Sequence, residues 1–265
     1  MPADPAPLYE ALAEALRADE PVALATVIDG VGVGSRLLVR PGHEPLGSLG
    51  GPELDDVATR DVLGELELGQ TCVRHYGAGG EQRMEDLTLF VESFAPQPRM
   101  LIFGAVDFTA SLARVAKVLG YKVVVCDARK VFATPKRFPM ADEIRVEWPD
   151  SVFDAYGSKL RPADAVCILT HDTKFDVPAV VRSLQTDVGY IGVMGSRRTH
   201  AKRVERLRDV GVDSDGLARL MAPIGLDIGG RTPEETAVSI VAEIIAVRAG
   251  RAAPSLRDSE GPIHR

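Results

Sequence analysis

Hydrophobic positions along the chain follow two different grammars that meet near residue 96. In the first stretch Leu8, Leu12 and Leu16 recur at helical spacing, and Pro21 closes off that short amphipathic helix. Val22 to Ile28 and Arg36 to Arg40 read as strands, with a glycine-dense segment from Gly30 to Gly51 alternating turns with them. Glu53 to Leu68 is predicted as a helix whose apolar side carries Leu54, Val57, Ala58, Leu63 and Leu66. Two more strands, Thr71 to Tyr76 and Asp86 to Ser93, follow, the second burying Leu87, Leu89 and Val91 by alternation. Residues 1–96 therefore read as a small N-terminal α+β domain, and Pro96-Gln97-Pro98 breaks both periodicities as a linker would.

From Arg99 the pattern becomes strand, helix, strand, with nearly continuous apolar strands, as a parallel sheet covered on both faces requires. The predicted strands are Met100 to Phe103, Lys122 to Cys126, Glu143 to Glu147, Ala165 to Thr170 and Tyr190 to Val193. Helices are predicted at Phe108 to Leu119, around Ser151 to Ser158, at Val177 to Gln185, Arg197 to Val210 and Pro233 to Arg248. The last opens on a strong start signal, because Thr232 can cap, Pro233 sits first and Glu235 completes a capping box. The fold class is α/β overall, the small α+β domain being followed by a Rossmann-like parallel-sheet domain over residues 97–250 and a solvated tail over 251–265.

Composition narrows the partners. At 265 residues, 45% hydrophobic and 26% charged, the chain can bury two cores. A net charge of −7 argues against a general nucleic-acid or anionic-membrane surface, which needs clustered Lys and Arg. The three cysteines, Cys72, Cys126 and Cys167, form no C-x-x-C pair, and the last two lie within apolar strands, so buried reduced thiols are expected rather than a metal site or a disulfide. The first seven residues lack a basic region followed by an apolar one, and no apolar run reaches membrane-span length, which gives a cytoplasmic expectation.

Ligands of open parallel sheets bind outside the carboxyl ends of the strands, near the reversal of strand order. Polar clusters fall at those ends: Gly104 to Asp107, Asp127 to Arg129, Thr170-His171-Asp172 and Gly195-Ser196-Arg197-Arg198. The first is a broken dinucleotide fingerprint, since Val106 stands where a second glycine would let backbone approach a pyrophosphate, and Thr109 at the third position. Asp107 adds negative charge there and is placed to be a helix N-cap. Asp127, at the end of the second strand, either accepts a ribose hydroxyl or caps the next turn. Thr170-His171-Asp172 offers a general base or a metal ligand, or else a capping turn. Gly195 to Arg198 is the best anion site, a glycine turn feeding a helix start with a hydroxyl and two guanidiniums. Its alternative is a solvated basic helix start continued by Lys202, Arg203, Arg206 and Arg208. The long loop from Met221 to Arg231 is expected to fold back over the rim, where Asp227 and Arg231 either pair or Arg231 faces a ligand anion. No catalytic triad or paired-carboxylate spacing stands out, and no metal site is expected.

With these segments assembled, the chain resembles the XdhC/CoxI family of accessory proteins of bacterial xanthine and carbon-monoxide dehydrogenases. The resemblance is carried by Leu119-Gly120-Tyr121, Cys126-Asp127-Ala128-Arg129, Phe132 to Pro135, Arg137-Phe138-Pro139, Leu169 to Asp172, Tyr190-Ile191-Gly192, Gly195 to His200 and Ala222 to Glu235. It implies a chaperone that binds molybdenum cofactor (molybdopterin), aids its sulfuration and delivers it to an apo molybdenum hydroxylase; a sulfur-donating desulfurase and a second copy of the chain, as a homodimer, are further candidate partners. Where the family commonly reads Gly-Ala-Gly-His the chain has Gly104-Ala105-Val106-Asp107, and where it reads Ser-Gly-Gly-Cys the chain has Leu49-Gly50-Gly51-Pro52. A family Cys-Gly-Gly is likewise replaced by Gly77-Ala78-Gly79-Gly80. Two rival readings stand beside the maturation factor: an NAD(P)-linked oxidoreductase, and a divergent paralogue acting only as a protein-binding scaffold.

Overall fold

The computed structural model describes residues 5–77, 86–170 and 172–258. It divides into two compact units, one up to Pro96 and one from Gln97 onward. The first is an antiparallel sheet with a helix on each face. Helix α1 (Pro5–Arg17) precedes β1 (Val22–Gly30), β2 (Arg36–Val39) and β3 (Leu46–Ser48), and α2 (Pro52–Leu68) precedes β4 (Cys72–Tyr76) and β5 (Leu87–Phe94), in sheet order β3-β2-β1-β5-β4. Strand β1 is apolar on both sides because each side meets a helix. Val22 packs with Ala11 and Ala15 of α1, whereas Ala23, Ala25 and Val27 pack with Leu54, Ala58 and Val62 of α2.

The second unit is a six-stranded parallel sheet, β6 (Arg99–Phe103), β7 (Lys122–Cys126), β8 (Glu143–Arg145), β9 (Ala165–Ile168), β10 (Tyr190–Val193) and β11 (Leu220–Met221), ordered β11-β10-β9-β6-β7-β8. Its helices are α3 (Asp107–Val118), α4 (Pro149–Tyr156), α5 (Thr173–Leu184), α6 (Arg197–Asp209), α7 (Ser214–Ala218) and α8 (Pro233–Arg248). The pleat of β6 sends Met100 and Ile102 into the layer under α3 and α8, and Leu101 and Phe103 into the layer under α4, α5 and α6. Sequence order runs outward from β6 through β7 and β8, then restarts beside it at β9, so the strand order reverses between β6 and β9. Among the described residues no helix is long and apolar enough to cross a membrane.

Differences from the expected elements have local causes. Strands β3 and β11 are three- and two-residue edges, too short to show an alternation, and α7 is a single turn. Helix α5 begins at Thr173, four residues ahead of the expected Val177, because Asp172 caps it by accepting the Lys174 N–H at 3.0 Å. Pro178 then lies inside the helix, beyond the first turn. The capping box of α8 forms as expected: Thr232 Oγ1 accepts the Glu235 N–H at 3.1 Å, and Glu235 Oε2 accepts the Thr232 N–H at 3.0 Å.

Candidate functional site

Four chain reversals line the carboxyl edge of the parallel sheet, at Gly104, Asp127, Thr170 and Gly195, following β6, β7, β9 and β10. At the reversal point itself Gly104 adopts φ +110°, and a Cβ there would lie 3.0 Å from the Thr170 backbone nitrogen. Gly104 thus serves the close approach of two strand ends.

The first turn is closed by the protein's own groups. Asp127, buried at the end of β7, takes the Ala105 N–H on Oδ2 at 2.8 Å and the Arg129 N–H and Nε on Oδ1 at 2.9 Å each, while Arg129 Nη2 reaches Oδ2 at 2.8 Å. Four donors fill the acceptor capacity of a carboxylate, so nothing remains for a ribose hydroxyl unless Arg129 leaves. Burial alone would raise the Asp127 carboxyl, yet these donors outweigh it and hold the group below the usual carboxylate range. Asp107 is not the N-cap expected of it. Val106 holds that position and Asp107 is the first helical residue, its side chain exposed and 3.4 Å from Arg137 Nη2. The helix start is tied instead by Thr109, whose hydroxyl donates to the Gly104 carbonyl. Arg137 Nη1 donates to the Ala105 and Phe132 carbonyls at 3.0 and 3.2 Å, covering the turn, and the Arg129 guanidinium stacks over the Phe132 ring at 4.5 Å.

After β9, Thr170 is buried and its hydroxyl accepts the Asp172 N–H at 3.1 Å, while Asp172 caps α5. Both behave as the capping turn, and His171 lies outside the described residues. The Asp172 charge reaches Arg129, adding to the stabilisation that the Asp127 hydrogen bond gives its protonated form, so the second and third reversals share one field.

After β10, Gly195 takes φ +150° and Ser196 caps α6, its hydroxyl accepting the Thr199 N–H at 3.1 Å. Arg197 and Arg198 are exposed at that helix start, and neither is ion-paired among the described residues. Beneath them the sequence reading of a solvated helix fails at Arg203. Its guanidinium is fully buried, donates from Nε and Nη2 to Asp176 Oδ2 at 3.2 and 3.1 Å, and donates from Nη2 to the Met194 carbonyl at 2.9 Å, fixing the turn ahead of Gly195.

The loop after β11 is stitched to β10 and α8. Ile224 donates its N–H to the Val193 carbonyl at 3.1 Å and seats its side chain where a Cβ on Gly192 would collide, and Gly225 donates to Glu243 Oε2 at 2.9 Å. Asp227 and Arg231 form no ion pair with each other; the Arg231 N–H goes to Glu235 Oε2 at 2.6 Å and its side chain is exposed.

Two family models cover these units: the XdhC Rossmann domain matches residues 100–244, and the XdhC and CoxI family matches residues 15–77. The chain belongs to the XdhC and CoxI family. Among its relatives are a Bacillus subtilis protein named as a probable xanthine dehydrogenase component, 33% identical over 160 residues, and the molybdenum cofactor insertion chaperone PaoD of Escherichia coli, 24% identical over 163 residues. These matches cover 60% and 62% of the chain but only 46% and 44% of the relatives, so the chain spans under half the length of either. A crystal structure described as a xanthine dehydrogenase from Bacillus halodurans shares the fold, with a TM-score of 0.55, 23% identity and coverage of 93% of this chain and 97% of that one.

Among the described residues no group of three or more metal-ligating side chains forms. Cys126 lies buried in β7 with its thiol pushed up to about 12 by burial and by Asp127, and burial raises the Cys167 thiol likewise. Half-buried Cys72 belongs to the first unit and is also raised, by burial and then by Glu65. The sequence reading missed Arg137 and the Arg203–Asp176 pair. One signal for the latter was available: Arg203 stands one turn before Leu207, the buried leucine of α6.

Proposed function

We propose that the chain is an accessory protein of a xanthine-dehydrogenase-type molybdenum hydroxylase, and that it holds the phosphate end of molybdenum cofactor at Gly195 to Arg198. One observation carries the choice of ligand end. The dinucleotide position at Gly104 to Asp107 is filled by Asp127, Arg129 and Arg137, whereas the turn after β10 presents a helix start and two exposed guanidiniums that are not ion-paired among the described residues. Molybdopterin bears such a phosphate. The names of the B. subtilis and E. coli relatives support the client class and the cofactor class. The residues present fit the cofactor's phosphate and offer no thiolate for its metal, so the chain's part is to bind and orient that anionic end. The closed first turn speaks against the NAD(P)-linked alternative.

The test is Arg197→Ala combined with Arg198→Ala. Each charge-assisted contact contributes about 1.5–3 kcal/mol, so affinity for molybdopterin falls at least about tenfold while thermal unfolding stays within a few degrees. Unchanged affinity in the double variant would make this turn only a solvated helix start.

A further inference from the structure

A cleft of about 270 Å³ opens between α5 and α6, lined by Thr173 and Asp176 on one side and by Arg198, Thr199, Lys202, Arg203 and Arg206 on the other. Helix α6 carries six basic and two acidic side chains in a chain whose net charge is −7, so positive charge is concentrated here against the overall balance. Arg198, Lys202 and Arg206 follow one another at i, i+4 and i+8 on a single helix stripe, and none is ion-paired among the described residues. Like charges at that spacing repel, a cost that a counter-anion removes.

The floor of the cleft is also incomplete. Arg203 and Asp176, both buried, meet through Asp176 Oδ2, and the partner atoms Arg203 Nη1 and Asp176 Oδ1 are left without hydrogen bonds. Buried guanidinium nitrogens rarely lack an acceptor. Asp176, the one carboxylate in the lining, pairs with Arg203 through Oδ2 while its Oδ1 is buried away from the opening, which leaves three cations and the Thr173 and Thr199 side chains around it.

We propose that this cleft is a second anion site, which takes a small molecule bearing more than one phosphate, of the diphosphate class. The stripe supports that class over a single phosphate. Arg198, Lys202 and Arg206 are spread over two helical turns, a rise of about 12 Å, so an anion with two charged groups meets more of these cations at once than a single tetrahedral anion does. Arg198 belongs both to the rim turn and to the cleft, so the cleft rests in part on the rim reading, whereas Lys202 and Arg206 belong to the cleft alone and separate the two in the test.

Inorganic pyrophosphate and orthophosphate are the probes, titrated into the full chain by calorimetry. Pyrophosphate is expected to bind saturably, at least about tenfold tighter than orthophosphate, and Lys202→Gln with Arg206→Gln to weaken it at least about tenfold through the loss of two charge-assisted contacts. Arg208→Gln with Arg251→Gln changes net charge equally from exposed positions outside the cleft and is expected to leave binding within about twofold. No saturable pyrophosphate binding at concentrations past about 1 mM, or equal losses in the two double variants, would overturn the proposal. Orthophosphate binding as tight as pyrophosphate would overturn the diphosphate class. Molybdopterin affinity in the Lys202 and Arg206 variant, measured alongside, separates this site from the rim: loss of pyrophosphate with retained pterin binding is the expected pattern.

Discussion

At the scale of single residues, Asp127 decides what the rim can hold. Its position after β7 is the one at which a Rossmann strand offers an acid to a ribose, and a strand-end Asp alone does not distinguish that role from an internal cap. The deciding group is two residues on: Arg129 supplies three of the four hydrogen bonds that fill the carboxylate. The consequence is measurable. Because the Asp127 carboxyl is held below its unfolded value, near 3.9, its ionised form adds stability that is fully present above that pH and is lost as pH falls toward and through the folded value. Asp127→Asn should cost about 1–3 kcal/mol in urea unfolding at neutral pH, toward the lower end because Arg129 is half exposed and can turn to water. The difference between variant and natural chain should shrink as pH falls from about 5 to about 3. A gap that does not change over that range would show that the carboxylate is not stabilised as the geometry indicates.

At the scale of elements, the buried Arg203–Asp176 pair ties α6 to α5 and, through the Met194 carbonyl, to the turn before Gly195. Arg203→Met leaves Asp176 as an unpaired buried charge and should cost about 3–5 kcal/mol, whereas adding Asp176→Leu should restore most of it, since a charge pair replaced by apolar groups is close to neutral. Equal destabilisation in the single and double variants would place the cost in lost packing or in the Met194 contact. The same pair shows why sequence pattern carries only part of the site. Apolar runs such as Val123–Cys126 and Val166–Ile168 mark central parallel strands plainly, because both faces are covered. In a basic helix such as α6 the spacing of Arg203 from Leu207 marks the face that is covered, but not whether the arginine's partner there is water or an acid on a neighbouring helix. Edge strands β3 and β11 escaped notice for a related reason: they gain their pairing from β2 and β10 rather than from any alternation of their own.

At the scale of the whole molecule, two units with separate cores carry different parts of the account. The succession of apolar strands and helices was readable, and so were the polar clusters at the strand ends, whereas the strand order with its reversal at β6 and β9 is a finding of the structure. That the reversal point would be filled from within was not readable, because Arg137 comes to Ala105 from 32 residues away. The central claim is that the rim takes the anionic end of a pterin cofactor and not a nicotinamide dinucleotide. The direct measurement is the content of the natural chain purified from a molybdenum-replete host, with pterin quantified per chain and NAD(H) titrated into the same preparation. Bound pterin in a substantial fraction of chains, with NAD(H) binding weaker than about 1 mM, is the result predicted. Pterin-free protein that binds NAD(H) at micromolar concentration would contradict it.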